Sequence, residues 1–180
     1  MARSARKVTL NPRPPRPRVA VVVSRYNDGI TSRLLEGAVG ECRARSVAET
    51  VVYEAPGSFE VPAIAMAAAK SGRFDAVVAL GCIIKGETSH DRHLGAAVTA
   101  ALLEVSLKTG VSVGLGVLTV DNVEQAAARA GGSLGNKGTE AAGAALDALS
   151  SIIAARSGEA ARQAGERRPR PDKTRGRAGA

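Results

Sequence analysis

The chain has 180 residues, of which 44% are hydrophobic and only 2% aromatic, so Ala, Val, Leu and Ile must pack a domain-sized core. Residues 1–18 and 156–180 together carry +11 against a net charge of +8, which leaves −3 for residues 19–155. The basic pI therefore describes the two ends, and the absence of aromatic residues there argues against single-strand nucleic-acid binding.

The same sequence disfavours three further classes of protein: disulfide-rich, membrane-spanning and secreted proteins. Two cysteines, Cys42 and Cys82, make no disulfide framework, and we expect both to be buried free thiols. No apolar run approaches the ~18 residues of a membrane span. The basic N-terminus lacks the apolar segment of a secretory signal, so a cytoplasmic location is expected.

The chain is predicted to form one domain with two tails. Residues 11–18 hold four prolines, which favour an extended, semi-rigid conformation. We therefore expect a basic, proline-rich arm over residues 1–18 and an ordered domain over residues 19–155. Residues 156–180 are poor in apolar residues and rich in Arg, Gly and Pro, which is typical of a disordered tail.

Within the ordered domain, the hydrophobic pattern alternates between the strand and the helix period. Strands are predicted over 18–24, 47–57, 75–84 and 111–119, and helices over 30–45, 62–72, 89–109, 121–131 and 137–155. The fourth helix is expected to begin at Asp121, with Glu124 at the spacing of a capping box. Alternating strands and helices predict an α/β fold, a three-layer sandwich in which helices flank a four-stranded parallel sheet.

Ligands of such sheets bind beyond the carboxyl ends of the strands. Four segments are therefore candidates for a site: "SRYND" (24–28), "APGSFE" (55–60), "GCIIKGETSH" (81–90) and "LGVLTVDN" (115–122).

The third of these segments is typical of an anion site. Gly86, Glu87 and Thr88 lie between a strand and a helix, where the first backbone N–H groups of the helix have no internal partner. Arg129 and Lys137, on other elements, are candidates to supply full positive charge. The alternative is that Thr88 or Ser89 only caps the helix.

His90 follows in the first turn of the same helix. Its side chain suits proton transfer near neutral pH, and a helix N-terminus favours the neutral base. The alternative is an ordinary exposed histidine. A metal site built from His90, His93 and Glu87 is disfavoured because no third His or Cys has ligand-like spacing.

Taken together, five phrases resemble the lumazine synthase family over about residues 19–149. They are "SRYNDGITSRLLEGA", "APGSFEVP", "DAVVALGCIIKGETSH", "GVLTVDNVEQAAARAGG" and "NKGTEAA". The resemblance implies a flavodoxin-like sheet. It also implies a transferase that condenses 5-amino-6-(D-ribitylamino)uracil with 3,4-dihydroxy-2-butanone 4-phosphate to 6,7-dimethyl-8-ribityllumazine, the penultimate step of riboflavin biosynthesis. Neither a cofactor nor a metal is implied.

The resemblance also implies roles for individual residues. His90 matches the proton-transfer residue. The positions that match the binding site of the pyrimidine substrate are Tyr26, Asn27, Ser58, Phe59, Glu60, Cys82, Ile83, Ile84, Leu115 and Lys137. Those that match the phosphate site are Gly86, Glu87, Thr88 and Arg129. Asp91 stands where the family usually has an aromatic residue, and its carboxylate either raises the pKa of His90 or faces solvent.

Family members assemble as pentamers, with Leu115, Arg129 and Lys137 expected to reach the site of a neighbouring subunit. The short link between residues 129 and 138 favours a sixty-subunit shell, with riboflavin synthase as a cargo. Two alternatives remain at this point: a shell-forming scaffold whose basic tails bind a polyanionic cargo, and a different binder of phosphorylated sugars.

Overall fold

The computed structural model describes residues 16–157, and the predicted arm and tail lie almost entirely outside this range. The sheet contains the parallel strands β1 (Arg18–Ser24), β2 (Glu49–Ala55), β3 (Ala76–Ile84) and β4 (Ser112–Val120), in the order β2-β1-β3-β4. The helices are α1 (Asp28–Ala44), α2 (Val61–Lys70), α3 (His90–Thr109), α4 (Val123–Arg129) and α5 (Lys137–Ser157). The predicted fold class is confirmed.

The two faces of the sheet are covered by different helices. Along β1, Val19 and Val21 join a cluster with residues of α1 and α5, while Ala20 and Val22 join one with residues of α2 and α3. Side chains alternate between the faces of a strand, so a strand buried on both sides must be apolar throughout. This arrangement explains why β1 and β3 are nearly continuous apolar runs.

Small residues let the layers approach closely. A Cβ added to Gly114 of β4 would collide with the carbonyl oxygen of Ala141 in α5, and one added to Gly138 would collide with that of Leu34 in α1. The helix α5 therefore packs backbone against backbone on both neighbours. Both cysteines are free and buried, as expected.

One local prediction was wrong, and one pair of strands was not predicted. Asp121 does not cap α4; the cap is Asn122, whose side chain accepts a hydrogen bond from the N–H of Gln125 at 2.9 Å. The segment after α4 forms a short antiparallel pair, β5 (Ala130–Gly132) and β6 (Gly135–Asn136), which was not predicted. In residues 16–157, no helix combines the length and the apolar character needed to cross a membrane.

Candidate active site

A cavity of about 490 Å³ lies at the carboxyl ends of β1 and β3. It is lined by residues from three of the four predicted strand-end segments and the start of α3: Tyr26, Asn27, Gly57, Ser58, Phe59, Cys82, Ile83, Ile84, Lys85, Gly86, Thr88, His90, Asp91 and Leu94. Parallel strands bring these segments together because their carboxyl ends share one edge of the sheet.

The first wall is the turn between β1 and α1. Tyr26 is 70% exposed, although aromatic side chains are usually buried. Asn27 follows with a φ of 61°, in the left-handed region that asparagine tolerates better than most residues. Its side-chain amide donates a hydrogen bond to the carbonyl of Cys82 at 2.9 Å. The turn that carries Tyr26 is thus tied to the central strand.

The second wall is the turn between β2 and α2. Phe59 is 69% exposed, whereas Ser58 is buried against the backbone of Gly81, where an added Cβ would lie 2.7 Å from the Ser58 hydroxyl oxygen. The N–H of Gly57 donates a hydrogen bond to the Glu60 carboxylate at 2.9 Å. Glu60 therefore holds the shape of this turn, and it does not line the cavity itself.

The floor is the end of β3. Cys82 and Ile83 are buried, and Ile84 is half-buried. Burial raises the pKa of the Cys82 thiol to about 11, so the thiol stays protonated at neutral pH and is a poor nucleophile. The contribution of Cys82 to the site is its carbonyl, which receives the Asn27 amide.

The segment that joins β3 to α3 is exposed and leaves backbone donors available. Ser89 is the N-cap residue of α3, but its side chain makes no capping hydrogen bond. Thr88 accepts a long hydrogen bond, 3.4 Å, from the N–H of His90. Gly86 and Thr88 line the cavity, whereas Glu87 is exposed and does not. The start of α3 can therefore receive an anion without displacing a strong cap.

His90 and Asp91 both line the cavity but differ in exposure. His90 is exposed, whereas Asp91 is only 8% exposed. The structure thus decides against Asp91 facing bulk solvent. Asp91 was not among the predicted site residues, although the helical spacing from Val98 back through Gly95 to position 91 carries that signal.

A metal site receives no support from the geometry. Across residues 16–157 there is no group of three or more His, Cys, Asp and Glu side chains that could hold a metal ion. His93 is exposed and is not part of the cavity lining.

Comparison with known proteins decides the family. Residues 16–152 match the family model for 6,7-dimethyl-8-ribityllumazine synthase. The chain belongs to this family. Its members catalyse a step of riboflavin biosynthesis, and the predicted family, activity class and enzymatic nature are thereby confirmed.

Relatives named 6,7-dimethyl-8-ribityllumazine synthase align with more than two thirds of this chain. The protein from Prosthecochloris aestuarii is 49% identical over 133 residues, 72% of this chain and 85% of its own length. The one from Chloroherpeton thalassium is 46% identical over 131 residues, 71% and 84% of the two lengths. The one from Anaeromyxobacter dehalogenans is 45% identical over 132 residues, 72% and 82% of the two lengths.

Three residues that the lumazine synthase resemblance assigned to the site lie away from this cavity. Leu115 projects from β4 and is 48% exposed. Arg129 ends α4, and its guanidinium donates a hydrogen bond to the Gln125 carbonyl at 3.1 Å. Lys137 begins α5 and pairs with Glu140 of the same helix. The role of these three residues at a site on another subunit stays a prediction.

Proposed function

We propose that this chain condenses 5-amino-6-(D-ribitylamino)uracil with 3,4-dihydroxy-2-butanone 4-phosphate to 6,7-dimethyl-8-ribityllumazine in the cavity described above. The observation that carries the proposal is the sharing of one cavity by two exposed aromatic rings, a histidine and an uncapped helix start. These are the parts needed to hold an aromatic substrate and an anionic substrate side by side.

The pyrimidine substrate is held by the turns after β1 and β2. Tyr26 and Phe59 expose ring faces on which a heterocycle can stack, a contact worth about 0.5–1.5 kcal/mol beyond area burial. Polar partners for the ring and the ribityl chain come from the backbone of residues 82–84 and from the side chains of Asn27 and Ser58. Glu60 acts here by bonding to Gly57 and shaping the turn.

The phosphate is held at the start of α3. Gly86 and Thr88 offer backbone N–H groups and a hydroxyl at the positive end of a 20-residue helix. Glu87 directs its charge away, because its exposed side chain is not part of the lining. Full positive charge comes from Arg129 of a neighbouring subunit.

The main demand of this chemistry on the protein is proton transfer. The 5-amino group attacks the ketone and forms an imine with loss of one water, inorganic phosphate is eliminated, and attack of the ribitylamino nitrogen on the carbonyl that results closes the ring with loss of a second water. His90 lines the same cavity as the aromatic rings and the start of α3, where it can move protons during these steps. General acid–base help is typically worth ~10²–10⁴ in rate, and the fixed alignment of the two substrates supplies a further share.

We further propose that the active unit is a homo-oligomer, a pentamer in which Leu115, Arg129 and Lys137 complete the neighbour's site. The support is their position off the chain's own cavity, together with exposed apolar side chains on the described surface: Leu103, Leu107, Leu115, Val123 and Leu134. Assembly into a sixty-subunit shell, riboflavin synthase as its cargo, and a cytoplasmic location belong to the same proposal.

The reaction is tested directly with the full-length protein. Mixing it with the two substrates is expected to produce lumazine fluorescence at a rate proportional to protein concentration. A folded protein that gives no product would refute the reaction. If light scattering of the same sample showed large particles, that result would instead support the scaffold alternative.

The shared site is tested by mixing two variants that each have reduced activity. His90→Ala and Arg129→Ala subunits are denatured together and reassembled at equal amounts. If a site takes His90 from one subunit and Arg129 from the next, about a quarter of the sites in random mixtures regain both residues. Each variant reassembled alone is the control. A mixture no more active than the mean of the controls would refute the shared site.

A further inference from the structure

Asp91 occupies a position where the fold calls for an apolar residue. The buried side of α3 is formed by Asp91, Gly95, Val98, Leu102 and Val105, at helical spacing. All but the first are apolar or glycine, and Val98, Leu102 and Val105 pack in the core between α3 and the sheet. A carboxylate at the end of this stripe is costly to bury unless it finds a partner.

No group in the described part of the chain supplies that partner. Among residues 16–157, no hydrogen bond or ion pair reaches the Asp91 carboxylate, and no buried side-chain oxygen is both fully enclosed and without a partner. The Asp91 oxygens are therefore not fully enclosed, and the residue lines the cavity. Asp91 is only 8% exposed, and it lines the cavity in which we place the substrates.

We propose that Asp91 is a substrate-binding residue that accepts a hydrogen bond from an N–H or O–H group of the donor-rich pyrimidine substrate. This inference rests on the proposed function and deepens it. A hydrogen bond to a charged acceptor is stronger than one between neutral groups, and it satisfies a carboxylate that the protein itself leaves unpaired.

The same charge separates the two substrates within one cavity. The phosphate position at Gly86 and Thr88 is exposed, whereas Asp91 lies in the buried interior. A buried carboxylate repels a phosphate dianion and attracts hydrogen-bond donors. Asp91 thus reserves the interior for the pyrimidine and leaves the phosphate at the cavity mouth, which sets the relative orientation of the reactants.

A purely structural role makes a different prediction. Asp91 lies in the first turn of α3, where an acid stabilises the helix by interacting with its dipole. In that case its removal lowers the stability of the protein and affects both substrates alike. If Asp91 binds substrate, removal of its carboxylate raises the KM of the pyrimidine substrate alone. The same change stabilises the protein, because a charge no longer has to be buried.

The experiment compares Asp91→Asn and Asp91→Leu with the wild-type full-length protein. We expect Asp91→Asn to raise the KM for the pyrimidine substrate about tenfold, the ratio that corresponds to ~1.4 kcal/mol, with the KM for the butanone phosphate unchanged or lower. Asp91→Leu continues the apolar stripe, and we expect an equal or larger rise in the same KM together with a higher Tm.

Asp28→Asn is the matched control. Asp28 is also an acid in the first turn of a helix, but it is exposed and does not line the cavity. Both KM values are expected to stay at their wild-type levels in this variant. Equal changes of the two KM values in Asp91→Asn, or a wild-type pyrimidine KM in Asp91→Leu, would overturn the inference.

Failure of this inference is distinguishable from failure of the proposed function. If the wild-type protein forms no lumazine, the proposed reaction is wrong. If the wild-type protein is active and the Asp91 variants keep the wild-type KM for the pyrimidine, the reaction stands and the role of Asp91 is wrong. Equilibrium titration with the pyrimidine substrate alone measures its Kd for the wild-type protein and the Asp91 variants, and so makes the same comparison without turnover.

Discussion

The two ends of the sheet use charged and aromatic residues in opposite ways. At the amino end, the N–H of Arg18 donates to Asp75 at 2.7 Å, and Arg73 pairs with Glu49 at 3.4 Å while covering the ring of Phe74. At the carboxyl end, the titratable side chains that line the cavity have no such partners in the described part of the chain: Lys85, His90 and Asp91. Two aromatic rings, those of Tyr26 and Phe59, are exposed at the same end.

This contrast separates residues that hold the fold from residues that serve a ligand. Phe74 is 4% exposed and meets the ring of Tyr53 edge to face at a centroid distance of 6.1 Å. Phe59 has the same side chain but packs against nothing comparable. An aromatic residue that the fold does not bury is available for a substrate, and the same holds for an unpaired charge.

The largest expected effect is a loss of stability at the amino end. Phe74→Ala removes a buried ring and is expected to lower the free energy of unfolding by about 3–5 kcal/mol, measured by denaturant titration. Phe59→Ala is the control and is expected to change that free energy by less than ~0.5 kcal/mol, since its ring is exposed. Equal losses in the two variants would remove the contrast between the ends.

The next effect is catalytic and concerns the carboxyl end. His90→Ala is expected to lower kcat by about 10²-fold because proton transfer then depends on water. The free energy of unfolding should stay within ~0.5 kcal/mol of wild type, since the side chain is exposed. Steady-state kinetics with both substrates measure the change, and wild-type turnover would exclude His90 from the mechanism.

The smallest expected effect is on stability and concerns an ion pair at the amino end of the sheet. Glu49→Gln breaks the ion pair between Glu49 and Arg73. Both side chains of this pair are about half exposed. Exposed pairs contribute about 0.2–1 kcal/mol, so we expect a small loss of stability that vanishes in high salt, and unchanged kinetics. A change in either KM would show that the two ends of the sheet are coupled.

Most of the fold could be predicted because the apolar pattern is strong. The bounds of β1 were predicted as observed, and the continuous apolar run of β3 indicated a strand covered on both faces. Parallel strands bring their carboxyl ends together, so the meeting of Tyr26, Phe59 and His90 at one cavity followed from topology. The roles of these residues stay predictions.

The remaining features depend on information that local patterns lack. Asp121 and Asn122 are both good caps, and which of them accepts the bond from the backbone N–H of Gln125 depends on the path of the chain out of β4. The pair β5–β6 has no alternating apolar pattern to reveal it. The helical spacing places Asp91 on the buried side of α3, but its charge favours the opposite expectation, so the burial of Asp91 is established only by the packing of α3 against the sheet.

The bond from Asn27 to the Cys82 carbonyl has a consequence for binding entropy. A turn left loose would have to be ordered when the substrate arrives, at a cost of about 1–2 kcal/mol for each residue fixed. Here the turn that presents Tyr26 is already anchored to the central strand. Part of that ordering is thus completed during folding, and more of the stacking energy remains to hold the substrate.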